Sequence, residues 1–231
     1  MKLGRWTGVA LVFVAAGVAS ACVRTSEGLP VAASSASANS SPRLGTASPT
    51  ADDDQAPPGV VPTIQVPVPV DAVTCAPPAK PGIMITVAVS DPTAPKIAVA
   101  VPSGWNSSPG SGDVGARMDG PDGMSATVTI APTGLDPAAA FRDYTDRLMA
   151  QSAVSSVSIL PGELCDYSGQ KLRGAWSDTP QNSIEFIDRI VHVWTNTKNF
   201  LVSVHVQAPT GVVQLEAAGQ LLTEDFEVRL P

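Results

Sequence analysis

The chain has 231 residues, 44% of them hydrophobic and only 5% aromatic, with a formal charge of -7. The imbalance is confined to residues 81–231, which carry nine basic and sixteen acidic side chains. An acidic domain is repelled by phosphate backbones and anionic headgroups, so nucleic-acid binding and attachment to a membrane through the domain surface are both excluded as leading roles.

The first residues read as an export signal. Lys2 and Arg5 form a positive start, Val9 to Val18 is apolar, and Ala19-Ser20-Ala21-Cys22 closes the run with small residues and a cysteine. The stretch Trp6–Ala21 falls short of the ~20 residues that cross a bilayer, so a cleaved signal is favoured over a permanent span. Residues 1–21 are read as a lipoprotein signal peptide, and Cys22 as the acylated, palmitate-type anchor. Ordinary signal peptidase would cut at the same place, because Ala19 and Ala21 satisfy it too.

Residues 22–80 are dominated by Ala, Ser, Pro, Thr and Val. Such a composition buries too little apolar surface to offset its own ordering, so the segment reads as a flexible linker that stiffens towards polyproline over Pro57–Val70. Cys75 and Cys165 are then an even pair in an oxidising compartment, and a disulfide between them is expected. With no histidine close to either in sequence, neither a metal nor another cofactor is expected there.

Residues 81–231 read as one α+β domain. Ile83–Val89 and Lys96–Val101 are expected strands about the turn Ser90-Asp91-Pro92. Gly115–Met118 and Ser125–Ile130 flank a hairpin. Asp136-Pro137 opens a helix with a capping carboxylate and a proline at the first position, its apolar face formed by Phe141, Tyr144, Leu148 and Met149. Five strands follow, at Val154–Leu160, Glu163–Tyr167, Gln170–Ser177, Ser183–Thr195 and Phe200–Ala208. A second helix is expected from Pro209 or Thr210 to Leu222, and a last edge strand or docked tail at Phe226-Glu227-Val228.

Neither a nucleophile elbow, a phosphate loop nor a zinc spacing is present in the sequence. The arrangement most worth weighing is the hairpin about Asn196–Asn199. If Thr195 faces Phe200, then His192 faces Ser203 and Ile190 faces His205, which makes the two histidines diagonal neighbours on one sheet face. Imidazoles so placed could share a proton or a metal, with Asp188 completing a site. The plainer reading is that they are ordinary half-exposed sheet residues. Trp176 and Trp194 could join His192 and His205 in lining a ligand cleft between sheet and helix.

The run Ile97-Ala98-Val99-Ala100-Val101-Pro102-Ser103-Gly104-Trp105, the helix start Gly134-Leu135-Asp136-Pro137-Ala138, and Gly169 to Gly174 ahead of a long hairpin resemble the mycobacterial LpqN/LpqT-type lipoprotein family. The resemblance spans residues 94–231. It implies a PsbP-like fold, an α/β/α sandwich with an antiparallel sheet between helices, and it carries no catalytic residues. The expected function is that of a non-enzymatic cell-envelope lipoprotein, tethered to the outer face of the cytoplasmic membrane, whose domain binds a partner protein or an apolar envelope molecule. The alternatives are a carrier of an envelope lipid or glycolipid, and an extracytoplasmic enzyme using His192, His205 and Asp188.

Overall fold

The computed structural model describes residues 57–179 and 182–231; the signal segment and Cys22 lie outside them. The fold is α+β, with two antiparallel sheets and two helices.

The large sheet is built from β4 (Asn106–Pro109), β5 (Val114–Asp119), β6 (Ser125–Thr133), β7 (Val154–Pro161), β8 (Gly169–Thr179), β9 (Asn182–Trp194) and β10 (Asn199–Pro209), in the order β4-β5-β6-β10-β9-β8-β7. The small sheet contains β1 (Val73–Cys75), β2 (Ile83–Val87), β3 (Lys96–Val101) and β11 (Glu227–Arg229), in the order β1-β11-β3-β2. The helices are α1 (Pro137–Met149) and α2 (Leu215–Thr223).

Strand alternation decides which side chains meet which layer. On one face of the large sheet, Val128, Ile130, Val191, Val193, Val202 and Val204 pack against Ile97, Val99 and Val101 of the small sheet and Ala218 and Leu222 of α2. On the other, Leu172, Phe186, Ile190 and Leu201 meet Ala140, Phe141 and Leu148 of α1. The layer opposite α1 is therefore a composite of α2 and the small sheet. The start of α1 is as expected: Asp136 Oδ1 accepts from the Ala139 amide at 2.9 Å, with Pro137 at the first position.

Residues ahead of 81, which the sequence assigns to the linker, are bonded into the domain from the first described residues onward. Gly169 N donates to Gly59 O at 2.9 Å, Gln170 Nε2 to Pro58 O at 2.8 Å, and the Val61 backbone is bonded in both directions to Ser168 Oγ. Asn196 does the same for Val68, accepting at Oδ1 and donating from Nδ2, and β1 then pairs with β11. The proline-rich stretch gains order by lending its backbone to partners on the domain, a contribution that hydrophobic periodicity does not register. Gly59 is required there, because at φ +75° a Cβ would sit 1.9 Å from Gly169 O.

Three further corrections concern element ends. Glu163–Tyr167 is a turn closed by a Leu164–Tyr167 bridge, with Cys165 in the left-handed region at φ 52°. The second helix starts at Leu215 because Gly211 lies at φ +92° and Val213 is 86% exposed. β11 is an inner strand, since β1 covers the edge it would otherwise form.

Cys75 and Cys165 are joined, with Cα atoms 5.8 Å apart and a sequence separation of 90. The bond clips an edge strand of the small sheet to the β7–β8 loop of the large one. A loop of this size is worth ~4.5 kcal/mol in the chain-entropy picture, less any strain. Chemical denaturation with and without reductant should show a marked fall in midpoint on reduction, matched by the Cys75→Ala/Cys165→Ala variant; an unchanged midpoint would show that the clip does not stabilise the domain.

Candidate functional site

The β9–β10 hairpin closes more tightly than the sequence suggested. Thr195 N donates to Lys198 O at 2.9 Å, so only Asn196 and Thr197 turn the corner, with Asn196 at φ 67°. Asparagine tolerates that left-handed geometry, which suits two-residue hairpins. The register is consequently Trp194 with Asn199, His192 with Leu201 and Asp188 with His205. A slip of two residues keeps every side chain on its expected face but moves His205 opposite Asp188.

That pairing creates a buried polar centre beneath α1. The Asp188 carboxylate is fully buried; Oδ1 lies 2.6 Å from His205 Nδ1, and Oδ2 accepts from Tyr144 OH at 2.8 Å. His205 Nε2 lies 3.1 Å from Gln207 Oε1. Trp176 stacks on the imidazole with centroids 5.6 Å apart and planes 9° from parallel, and on Phe186 at 4.8 Å.

Burial opposes charge on His205, but the Asp188 carboxylate, its hydrogen bond and the Gln207 oxygen outweigh it and hold the pKa above the ordinary histidine value. Burial and the same carboxylate push the Tyr144 phenol well above its usual range, so it stays a neutral donor. When protonated, His205 offers two N–H donors to these two acceptors, Asp188 Oδ1 and Gln207 Oε1.

This centre forms one wall of an open cleft of about 470 Å³. Its floor is Thr127, Thr129 and Ala131 of β6 with Leu201, Ser203 and Gln207 of β10, and α1 contributes Tyr144, Arg147 and Leu148. The hydroxyls arise from strict alternation in β6, where Ala126, Val128 and Ile130 are buried on the other side. Thr127, Thr129, Ser203, Tyr144 and Gln207 were not read as site residues from sequence, although that alternation was visible.

The four residues expected to share one cleft are divided between two places. His192 stands four positions from Asp188 along β9, about 13 Å away, so it is no neighbour of His205. Its Nε2 meets Leu135 O at 3.1 Å, and its Nδ1 has no partner among the described residues. Burial lowers its pKa, only partly offset by the Leu135 carbonyl and Asp136, which favours the neutral ring. His192 and Trp194 line a separate groove of about 410 Å³ with Tyr167, Ser168 and residues of the Thr63–Thr74 stretch. Trp176 stays with His205. Among the described residues, no group of three or more His, Cys, Asp or Glu is placed to hold a metal ion.

These features define an α+β domain with a polar cleft between its first helix and the hydroxyl-bearing face of a seven-stranded antiparallel sheet. Neither a protein-family profile nor a curated protein matches the chain. Among solved structures it is similar to LpqN of Mycobacterium tuberculosis, described as involved in cell envelope biogenesis, at 17% identity and a TM-score of 0.49, covering 64% of this chain and 91% of that one. A likeness at this level assigns no ligand and no activity.

The raised pKa of His205 carries a signed consequence. Its folded-state pKa lies above that of the unfolded chain, so the stabilisation is complete below about pH 6.5 and is lost as pH rises through the folded value. His192, with a lowered pKa, acts in the opposite sense and costs stability towards acid. Denaturation midpoints measured upward from pH 6 should therefore fall more steeply for the wild type than for His205→Gln, which retains His192. Equal slopes would show that the pair with Asp188 is not charged.

Proposed function

We propose that the chain is an exported, membrane-tethered and non-enzymatic binding domain of the cell envelope, with the cleft beneath α1 as its binding site. The export reading rests on the pattern from Lys2 to Cys22, and the Cys75–Cys165 bond accords with an oxidising compartment. Among the described residues, no helix is long and apolar enough to cross a membrane; the tether in this reading is acylated Cys22.

The observation that carries the choice of binding over catalysis is the engagement of both His205 nitrogens. A general base needs a ring nitrogen within reach of the proton it removes, whereas Nε2 here faces the Gln207 amide oxygen and Nδ1 the Asp188 carboxylate. The enzyme alternative also required His192 beside His205, and the register separates them. What the cleft offers instead is a rigid floor of hydroxyls and an amide with apolar patches at Leu201, Ala131 and Leu148, suited to orienting a ligand or an inserted side chain. The carrier alternative has less support, since the space between the two sheets is filled by closely packed aliphatic side chains.

Native mass spectrometry of the full chain extracted from its own membrane tests this reading, alongside a Thr129→Trp variant that fills the cleft floor. The expected result is an acylated Cys22 in both, and a bound molecule or partner retained by the wild type and lost from the variant at unchanged melting temperature. Identical spectra for the two proteins would overturn the assignment of the cleft, and an unmodified Cys22 would overturn the tether.

A further inference from the structure

Among the described residues, the outer strand β7 is an unguarded edge. Natural sheets blunt exposed edges with short strands, charges, prolines or bulges. The opposite edge, β4, follows that practice: it has four residues, all exposed, ends in Pro109, and its neighbour β5 is bulged between Val114 and Ala116. In the small sheet, β1 has three residues and an irregular register, and the other edge, β2, is shorter than β7 at five residues. By contrast β7 runs for eight residues in unbroken register with β8, carries no charged side chain, and meets a proline only at its last position.

We propose that β7 is the contact edge of a two-fold symmetric dimer, paired antiparallel with β7 of a second copy so that the large sheet continues across the axis. The phase of the ladder decides which backbone groups are free. Gly162 N donates to Gly169 O and His192 N to Ser168 O, so even-numbered residues of β7 bond to β8. The amides and carbonyls of Ser155, Val157 and Ile159 then point outward.

A register centred on Val157 uses all of these groups. Val157 faces its own copy, and Ser155 faces Ile159 of the second copy, each pair exchanging both hydrogen bonds. The same register sets Val154 opposite Leu160 of the second copy on the α2 side of the sheet. These side chains are 68% and 59% exposed in the single chain, and the pairing covers both with one another. Val213, the most exposed large hydrophobic of the domain, stands across a groove from Ser156 and Ser158 on that same side. With no charge in the strand, like charges do not meet across the axis. Such self-complementarity is what an isologous contact demands. A contact built on one strand from each copy is small, so association in the weak, transient class is expected.

Sedimentation velocity on the full chain in detergent, over a concentration series reaching ~1 mM, reads the association. Three proteins decide it: the wild type, Val154→Lys/Leu160→Lys, and Val154→Lys/Leu160→Glu. All the changes are at exposed positions and leave the fold intact. The wild type should dimerise. The double-lysine variant sets like charges opposite one another and should associate at least tenfold more weakly. The lysine–glutamate variant sets opposite charges together and should recover.

Mild oxidation of Val157→Cys should also trap a covalent dimer through that residue, located by peptide mapping. A directly opposed hydrogen-bonded pair has Cα atoms ~5.5 Å apart, within disulfide reach. The matching Ser108→Cys control on β4 should not be trapped. A wild type that stays monomeric across the series would overturn the proposal, as would equal association of all three proteins, which would place the contact on another edge such as β2.

Discussion

A carboxylate without solvent exposure, that of Asp188, determines how α1 sits on the large sheet. Burying an unpaired charge costs several kcal/mol, so the group must find partners that both hydrogen-bond it and neutralise it. Tyr144 reaches down from α1 to one oxygen and His205 reaches across from β10 to the other. The helix is therefore held by a directional contact as well as by the apolar seam of Phe141 and Leu148, and the cleft beside it follows from that placement.

The next residue does the corresponding work on the other face. Arg189 is almost wholly buried and donates from Nη2 to Asp225 Oδ1 at 3.0 Å and to Glu163 O at 2.8 Å. Adjacent residues on a strand point to opposite sides, so Asp188 and Arg189 send opposite charges into the two layers. One secures α1; the other secures the turn between α2 and β11 and the loop that carries Cys165. β9 is buried from Phe186 to Val193 with these polar residues in it. Each is matched by a group from a different element, which gives the central strand a part in aligning every layer.

Much of this was legible in the sequence. The Asp136-Pro137 helix start, most of the principal strands and the pairing of Cys75 with Cys165 follow from local chemistry and from parity in the cysteines. Face assignments in the long hairpin also hold, because an even slip leaves them unchanged. What could not be read was set by contacts distant in sequence. The true turn depends on Asn196, whose side chain is tied to Val68, and the order of residues 57–80 depends on Ser168, Gln170 and β11. Tyr144 was recognised as part of the buried helix face, but its hydroxyl acquires its role only when Asp188 is placed beneath it.

The two histidines of the chain make the central claim directly measurable, since the structure puts one against a buried carboxylate and the other in a buried setting without one. NMR titration of the imidazole signals of the folded chain, assigned with His205→Gln, reads both at once. The account predicts that His205 titrates above the ordinary value of about 6.5 and His192 below it. Two coincident titrations at the ordinary value would contradict the buried Asp188–His205 pair, and with it the arrangement of helix, sheet and cleft built upon it.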